Sequence, residues 1–172
     1  MSTPTQYQNS ENLHNFSLIV ANNPGVLVRV ALIFSRRGYN IESLVVSPTK
    51  LQKFSRMMIT ARGEPSRFEQ ITKQISKLVD VIEVEEHNKE DILKKELMFV
   101  KVGTQEDKRK ELFQIVSENH GEILDFNFQF TVLQFINNKD RLDGIMSRLE
   151  GFEIFEAARS GCLAMSLNHS CL

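Results

Sequence analysis

Asn22-Asn23-Pro24-Gly25-Val26-Leu27 opens a stretch that runs through Val28-Arg29-Val30-Ala31-Leu32-Ile33-Phe34-Ser35-Arg36-Arg37 to Gly38-Tyr39-Asn40-Ile41-Glu42-Ser43-Leu44 and closes at Pro48. It reads as a strand end, a tight turn, a helix and a second strand. Before it, Phe16, Leu18 and Val20 alternate with Ser17 and Ile19, the period of a half-buried strand. Asn-Pro-Gly breaks that strand and suits a helix start, because Asn caps and Pro presets the backbone angle. Gly25 lacks a β-carbon, so a ligand can approach the N–H groups there closely. An unpaired helix N-terminus attracts an anion, and a small carboxylate fits it. Taken alone, Asn-Pro-Gly reads more readily as a plain turn. The helix expected over 26–37 places Val26, Leu27, Val30, Ile33 and Phe34 on one stripe, and Gly38 fits a left-handed C-terminal cap.

Outward from this stretch, 39–47 is β-rich, 48–53 is a loop, and 54–61 alternates as a third strand. Pro65 suits an early helical position, and Phe68, Ile71, Ile75, Leu78 and Val79 form an amphipathic stripe. A fourth strand is expected over 81–84. The order β-α-β-β-α-β is the ferredoxin-like arrangement, two helices on one face of an antiparallel sheet. Residues 85–95 are dense in charge and read as a linker with room for one helical turn. The order then repeats, with strands over 97–102, 122–128, 130–136 and 152–157. A helix over 105–119 turns Leu112, Phe113 and Val116 inward, and one over 139–149 does so with Leu142, Ile145, Met146 and Leu149. Gly38-Tyr39-Asn40-Ile41 corresponds to Gly121-Glu122-Ile123-Leu124. The class is therefore α+β, two tandem ferredoxin-like domains. The divisions are a disordered arm over 1–12, a first domain over 13–86, a linker over 87–95, a second domain over 96–166 and a tail over 167–172.

Composition sets limits on function. The 172 residues allow one medium domain or two small ones, and 41% hydrophobic with 25% charged residues is an ordinary globular balance. A formal net charge of −1 provides no broad attraction for nucleic acid or an anionic membrane. The third strand shows Ser55, Met57 and Ile59 on one side and Arg56, Met58 and Thr60 on the other, without the basic and aromatic platform of an RNA-binding sheet. Cys162 and Cys171 read as reduced cytosolic thiols. His14, His87, His120 and His169 lack metal-ligand spacing, and no apolar run approaches the ~20 residues that span a bilayer. The first twelve residues, rich in Ser, Thr, Gln and Asn without Lys or Arg, argue against a secretory or organellar targeting segment and for a disordered arm, and the expected location is cytoplasmic.

The carrying residues Asn22-x-Pro24-Gly25-Val26-Leu27-x-Arg29-Val30, Leu32-x-Phe34-Ser35-Arg36-Arg37-Gly38-Tyr39-Asn40-Ile41-Glu42-Ser43-Leu44 and Pro48-Thr49 resemble the ACT domain of the small, regulatory subunits of acetolactate synthase (acetohydroxyacid synthase). The resemblance spans about 15–164 and is weaker in the second half. It implies a non-catalytic chain that activates a thiamine-diphosphate-dependent catalytic subunit and confers feedback inhibition by a branched-chain amino acid, most often valine. It also implies a homodimer through paired ACT domains, with the effector between two chains. The effector carboxylate would meet N–H groups near Gly25, Val26 and Leu27, Asn22 would add a side-chain hydrogen bond, and Asn40 and Ile41 would come from the partner chain. No cofactor is implied in this chain; thiamine diphosphate, Mg and FAD belong to the catalytic partner. Arg159-Ser160-Gly161 resembles a motif near the family's C-terminus and reads equally as a strand end and turn. The Arg-Gly pair usual after it is replaced by Leu167 and Asn168.

Three further features bear on function. The second repeat has Gly103-Thr104-Gln105-Glu106-Asp107 where the first has Asn-x-Pro-Gly, and two carboxylates there repel an incoming anion. The effector site therefore belongs to the first repeat. On the outward face of the first helix, Val28 and Leu32 lie one turn apart beside Ser35, Arg29 and Arg36, an apolar pair that suits a subunit contact. Val28 also replaces the small residue often found there in the family. Glu85-Glu86-His87 reads as a solvated strand end, and no Gly-rich phosphate loop, nucleophile elbow or His-Glu-x-x-His is present. A catalytic ferredoxin-like enzyme is disfavoured for that reason. The alternative from another class is a stand-alone amino-acid-sensing module that controls a different enzyme or a transcription factor.

Overall fold

The computed structural model describes residues 13–87 and 92–167; the arm over 1–12, the linker centre and the tail from 168 lie outside them. The chain divides into two units, one reaching Ile92 and the other running from Leu93 to Met165.

The first unit comprises β1 (Leu13–Ala21), α1 (Val26–Arg36), β2 (Ile41–Pro48), β3 (Phe54–Arg62), α2 (Pro65–Ile75) and β4 (Val81–His87). Its antiparallel sheet has the order β2-β3-β1-β4, because each helix carries the chain across one strand before it rejoins the sheet. Phe16, Leu18 and Val20 of β1 and Met57, Ile59 and Ala61 of β3 meet Val26, Val30 and Phe34 of α1 and Phe68, Ile71 and Ile75 of α2. Phe16 packs edge-on against Phe34 with ring centres 5.9 Å apart. Each large apolar side chain buried here contributes roughly 1.5–3 kcal/mol, so this layer dominates the stability of the helices. The end of α1 is a Schellman motif: Gly38 has φ +73°, Tyr39 N–H donates to Phe34 C=O at 3.0 Å, and Gly38 N–H donates to Ser35 C=O at 3.0 Å.

The second unit comprises β5 (Ile92–Gly103), α3 (Arg109–Glu118), β6 (Glu122–Phe126), β7 (Phe130–Asn137), α4 (Lys139–Leu149), β8 (Ile154–Arg159) and β9 (Leu163–Ser166). The sheet order β6-β7-β5-β8 repeats that of the first unit, and the short β9 also pairs with β5. Met98, Val100 and Val102 lie under Leu112, Ile115 and Val116 of α3 and Leu142, Ile145 and Leu149 of α4. Asn138 caps α4, its Oδ1 accepting from Arg141 N–H at 2.9 Å.

Several expectations are corrected. Leu27 is 40% exposed, because the inward stripe of α1 follows Val26, Val30 and Phe34 and leaves Leu27 on its flank. Val79 is 97% exposed, because α2 stops at Ile75 and the chain turns before it. Phe113 is half-exposed and lies 6.0 Å from Phe126, while Ile115 takes the buried place expected for it. Of the linker expected over 87–95, His87 and residues 92–95 lie in strands β4 and β5, and the rest falls outside the described residues. Strand β9 was not anticipated, since four residues after a glycine carry little periodicity.

Candidate functional site

The turn between β1 and α1 is built around Gly25, which has φ +84° and occupies the N-cap position. No side chain caps this helix, contrary to the expected Asn cap. Asn22 is engaged elsewhere: its Nδ2 donates to Gln52 C=O at 2.9 Å, and its N–H donates to Lys53 C=O at 2.8 Å. These bonds tie the turn to the β2–β3 loop. The first full helical bond runs from Arg29 N–H to Gly25 C=O at 3.0 Å, and Val26 N–H reaches Asn23 C=O only at 3.4 Å. The first-turn N–H groups of Leu27 and Val28 are left without an intrahelical acceptor. The result is a helix start with free donors, a positive dipole end and no competing carboxylate in its first turn.

Arg29 is a member of this site that the sequence reading had placed only on the outward face. A β-carbon at Gly25 would lie 3.2 Å from Arg29 Nη1, so the guanidinium covers the turn. Arg29 Nη2 meets Asp80 Oδ2 at 2.6 Å, which holds the side chain in place. The four-residue spacing from Gly25 put the two on one helical face and was the available signal; Asp80 lies 51 residues away in the chain and gave none.

Within one chain, Asn40 and Ile41 do not join the turn. Ile41 pairs with Ala61, whereas Ala21, just before the turn, pairs with Phe54 at the other end of β3. Seven residues of strand separate those ends, ~23 Å. On α1, Val28 is 60% and Leu32 43% exposed, so with Leu27 they form an outward apolar group. Strand β2 ends the sheet order, and among the described residues its outer edge is unpaired.

The other polar motifs of the sequence are engaged in structural contacts. The expected solvated end at Glu85-Glu86-His87 is part of β4, and the His87 side chain is only 5% exposed. Its Nε2 lies 2.6 Å from Ser17 Oγ, and His14 Nδ1 lies 2.6 Å from Glu86 Oε1. Ser17 is 2% exposed, so no substrate reaches its hydroxyl. Arg159 meets Asp143 at 2.7 Å and Glu96 at 3.9 Å, and burial pushes the Glu96 carboxyl above its ordinary range against the pull of Arg159. Ser160 Oγ accepts from Leu97 N–H at 3.1 Å, and Gly161 has φ +82°, so Arg159-Ser160-Gly161 forms the corner between β8 and β9. At the turn before α3, the N-cap is Lys108 with φ −98°, and Lys108 Nζ donates to Gly151 C=O at 2.6 Å. That helix start lacks the left-handed glycine of the first. No group of three or more His, Cys, Asp or Glu able to hold a metal ion occurs among the described residues, and none of their helices is long and apolar enough to cross a membrane.

Known proteins match both halves. A family model described as "AHAS small subunit-like ACT domain" matches residues 16–83, and one described as "Small subunit of acetolactate synthase" matches 95–168. The acetolactate synthase small subunit of Mycobacterium bovis is 37% identical over 157 residues, covering 91% of this chain and 94% of that one. The acetolactate synthase isozyme 3 small subunit of Salmonella typhimurium is 38% identical over 151 residues, covering 87% and 93%. A crystal structure of the acetolactate synthase small subunit from Thermotoga maritima superposes with a TM-score of 0.82 at 33% identity, covering 90% and 96%. With both halves matched in order and nearly the whole length covered, the chain belongs to the acetolactate synthase small-subunit family.

Proposed function

We propose that this chain is the regulatory subunit of an acetolactate synthase, that it activates the catalytic chain, and that it transmits feedback inhibition by a branched-chain amino acid, valine first. The carrying observation is the uncapped glycine turn at Gly25, with free N–H donors and Arg29 beside it. A carboxylate is the small anion that a free amino acid offers to such a turn. The apolar side chains of Leu27 and Val28 next to it suit an aliphatic effector.

Two chains complete the site. If two β2 edges pair antiparallel about a twofold axis, the Ile41 end of one strand lies against the Pro48 end of the other. Pro48 pairs with Ser55, beside Phe54 and therefore at the end of the sheet where the turn sits. The partner's Asn40 and Ile41 then approach Gly25, Val26 and Leu27 of this chain, and the second Nδ2–H of the Asn22 side chain, the one not given to Gln52, is the donor it offers the effector. An effector held between chains favours the paired arrangement that binds it best, and that difference in affinity is the signal.

The test is an activity assay of the catalytic chain with and without this one, titrated with valine, leucine and isoleucine. The expected result is activation on mixing, followed by inhibition at lowest concentration by valine. Failure to activate or to co-purify with that chain would sink the proposal.

A further inference from the structure

We propose a second binding site in the first unit, for a phosphate group, in the cleft between the last turn of α1 and the middle of α2. The cleft is shallow and open to solvent, has a volume of about 640 Å³ and is lined by Arg36, Arg37, Tyr39, Gln70 and Gln74. That volume is of the size that holds small organic ligands. Its position is distinct from the effector turn, which lies at the opposite end of α1, ~15 Å away along the helix.

The lining is rich in donors and poor in acceptors. Arg37 Nη1 donates to Gln70 Oε1 at 2.6 Å and Arg37 Nε to Gln74 Oε1 at 3.3 Å. Both amide oxygens are thereby used, and the amide N–H groups remain as donors. Arg36 adds a second guanidinium. The Tyr39 hydroxyl is buried without a hydrogen-bond partner among the described residues. It cannot readily swing away, because its ring lies 4.8 Å from that of Phe68 and fills the space over Gly63, where a β-carbon would collide with Tyr39 Cε1. A buried hydroxyl without a partner is a standing cost, and a ligand oxygen relieves it once the exposed side chains of the lining move aside to admit it.

Charge favours an anion of more than one negative charge. Among the described residues no carboxylate lines the cleft. Within α2 and the turn after it, Glu69 is paired with Lys73 and Asp80 with Arg29, each at 2.6 Å. The negative end of the α1 dipole is muted, since Phe34 and Ser35 carbonyls already accept from Arg37, Gly38 and Tyr39 N–H groups. Two guanidiniums with amide and phenol donors match the three acceptor oxygens and double charge of hydrogen phosphate better than a single carboxylate.

The experiment titrates the full chain with inorganic phosphate, glycerol phosphate and malonate at matched ionic strength, by calorimetry and thermal melting. Saturable phosphate binding is expected, weakened tenfold or more by the double substitution Arg36→Gln with Arg37→Gln and retained in Gly25→Asp. Tyr39→Phe should melt no lower than the parent without ligand, yet lose part of the phosphate-induced rise in Tm. Tighter binding of glycerol phosphate would assign the site to an organic phosphate, and equal binding to the free ion; both support it. Absence of saturable binding, unchanged binding in the double variant, an unchanged phosphate response in Tyr39→Phe, or preference for malonate would overturn the proposal.

Discussion

At the scale of single residues, Gly25 has the most to lose from substitution. Its φ of +84° lies where an L side chain is strained, and a β-carbon there would lie 3.2 Å from Arg29 Nη1. Gly25→Asp should cost on the order of 1 kcal/mol in backbone strain, a small part of the roughly 5–15 kcal/mol of a folded domain. The new carboxylate would sit where the effector's own is proposed to bind and would repel it. The expected outcome is a folded protein by circular dichroism that shows no valine binding by calorimetry; unchanged affinity would remove Gly25 from the site. Asn22 teaches a related lesson. Its residue type suited a helix cap, but its amide is drawn to Gln52, 30 residues on, and the helix is left uncapped. An open helix start is of more use to an anion than a capped one.

At the scale of elements, α1 and β2 share the work of the first unit. One face of α1 builds the core through Val26, Val30 and Phe34, and its other face leaves Leu27, Val28 and Leu32 in contact with water. Strand β2 presents its outer edge, irregular near Glu42, where its pairing with β3 shifts register. An apolar helix flank in the same unit as an open edge strand suits a self-pairing surface. Val28→Glu with Leu32→Glu should convert a dimer to monomer in sedimentation velocity. Because both positions are exposed, the monomer's own stability should change by no more than about 0.5 kcal/mol per site. A variant that stays dimeric would place the pairing surface elsewhere.

At the scale of the whole molecule, each unit has its own layer of buried residues and its own antiparallel sheet. At ~80 residues each, independent folding is feasible but marginal. A chain ending at Ile92 should therefore bind valine, and one beginning at Leu93 should fold without binding it; tight binding by the second piece would reverse the assignment of roles. The sheet-and-helix order of both units could be read from the chain, because apolar periods of two and 3.6, Gly38 at a helix end and Pro65 at a helix start act over a few residues. The motif around Gly25 likewise identified the family before any coordinate. Other features depended on distant partners: the Arg29–Asp80 pair over the turn, the Asn22 bond to the β2–β3 loop, the exposure of Leu27 and Phe113, and the burial of His87. The placing of Ala21 and Ile41 at opposite ends of β3, ~23 Å apart along the strand, belongs with them. Local pattern specifies an element and the face it turns inward. Strand order and register decide which residues meet across 30 to 72 positions of sequence, and those meetings exist only in the folded chain.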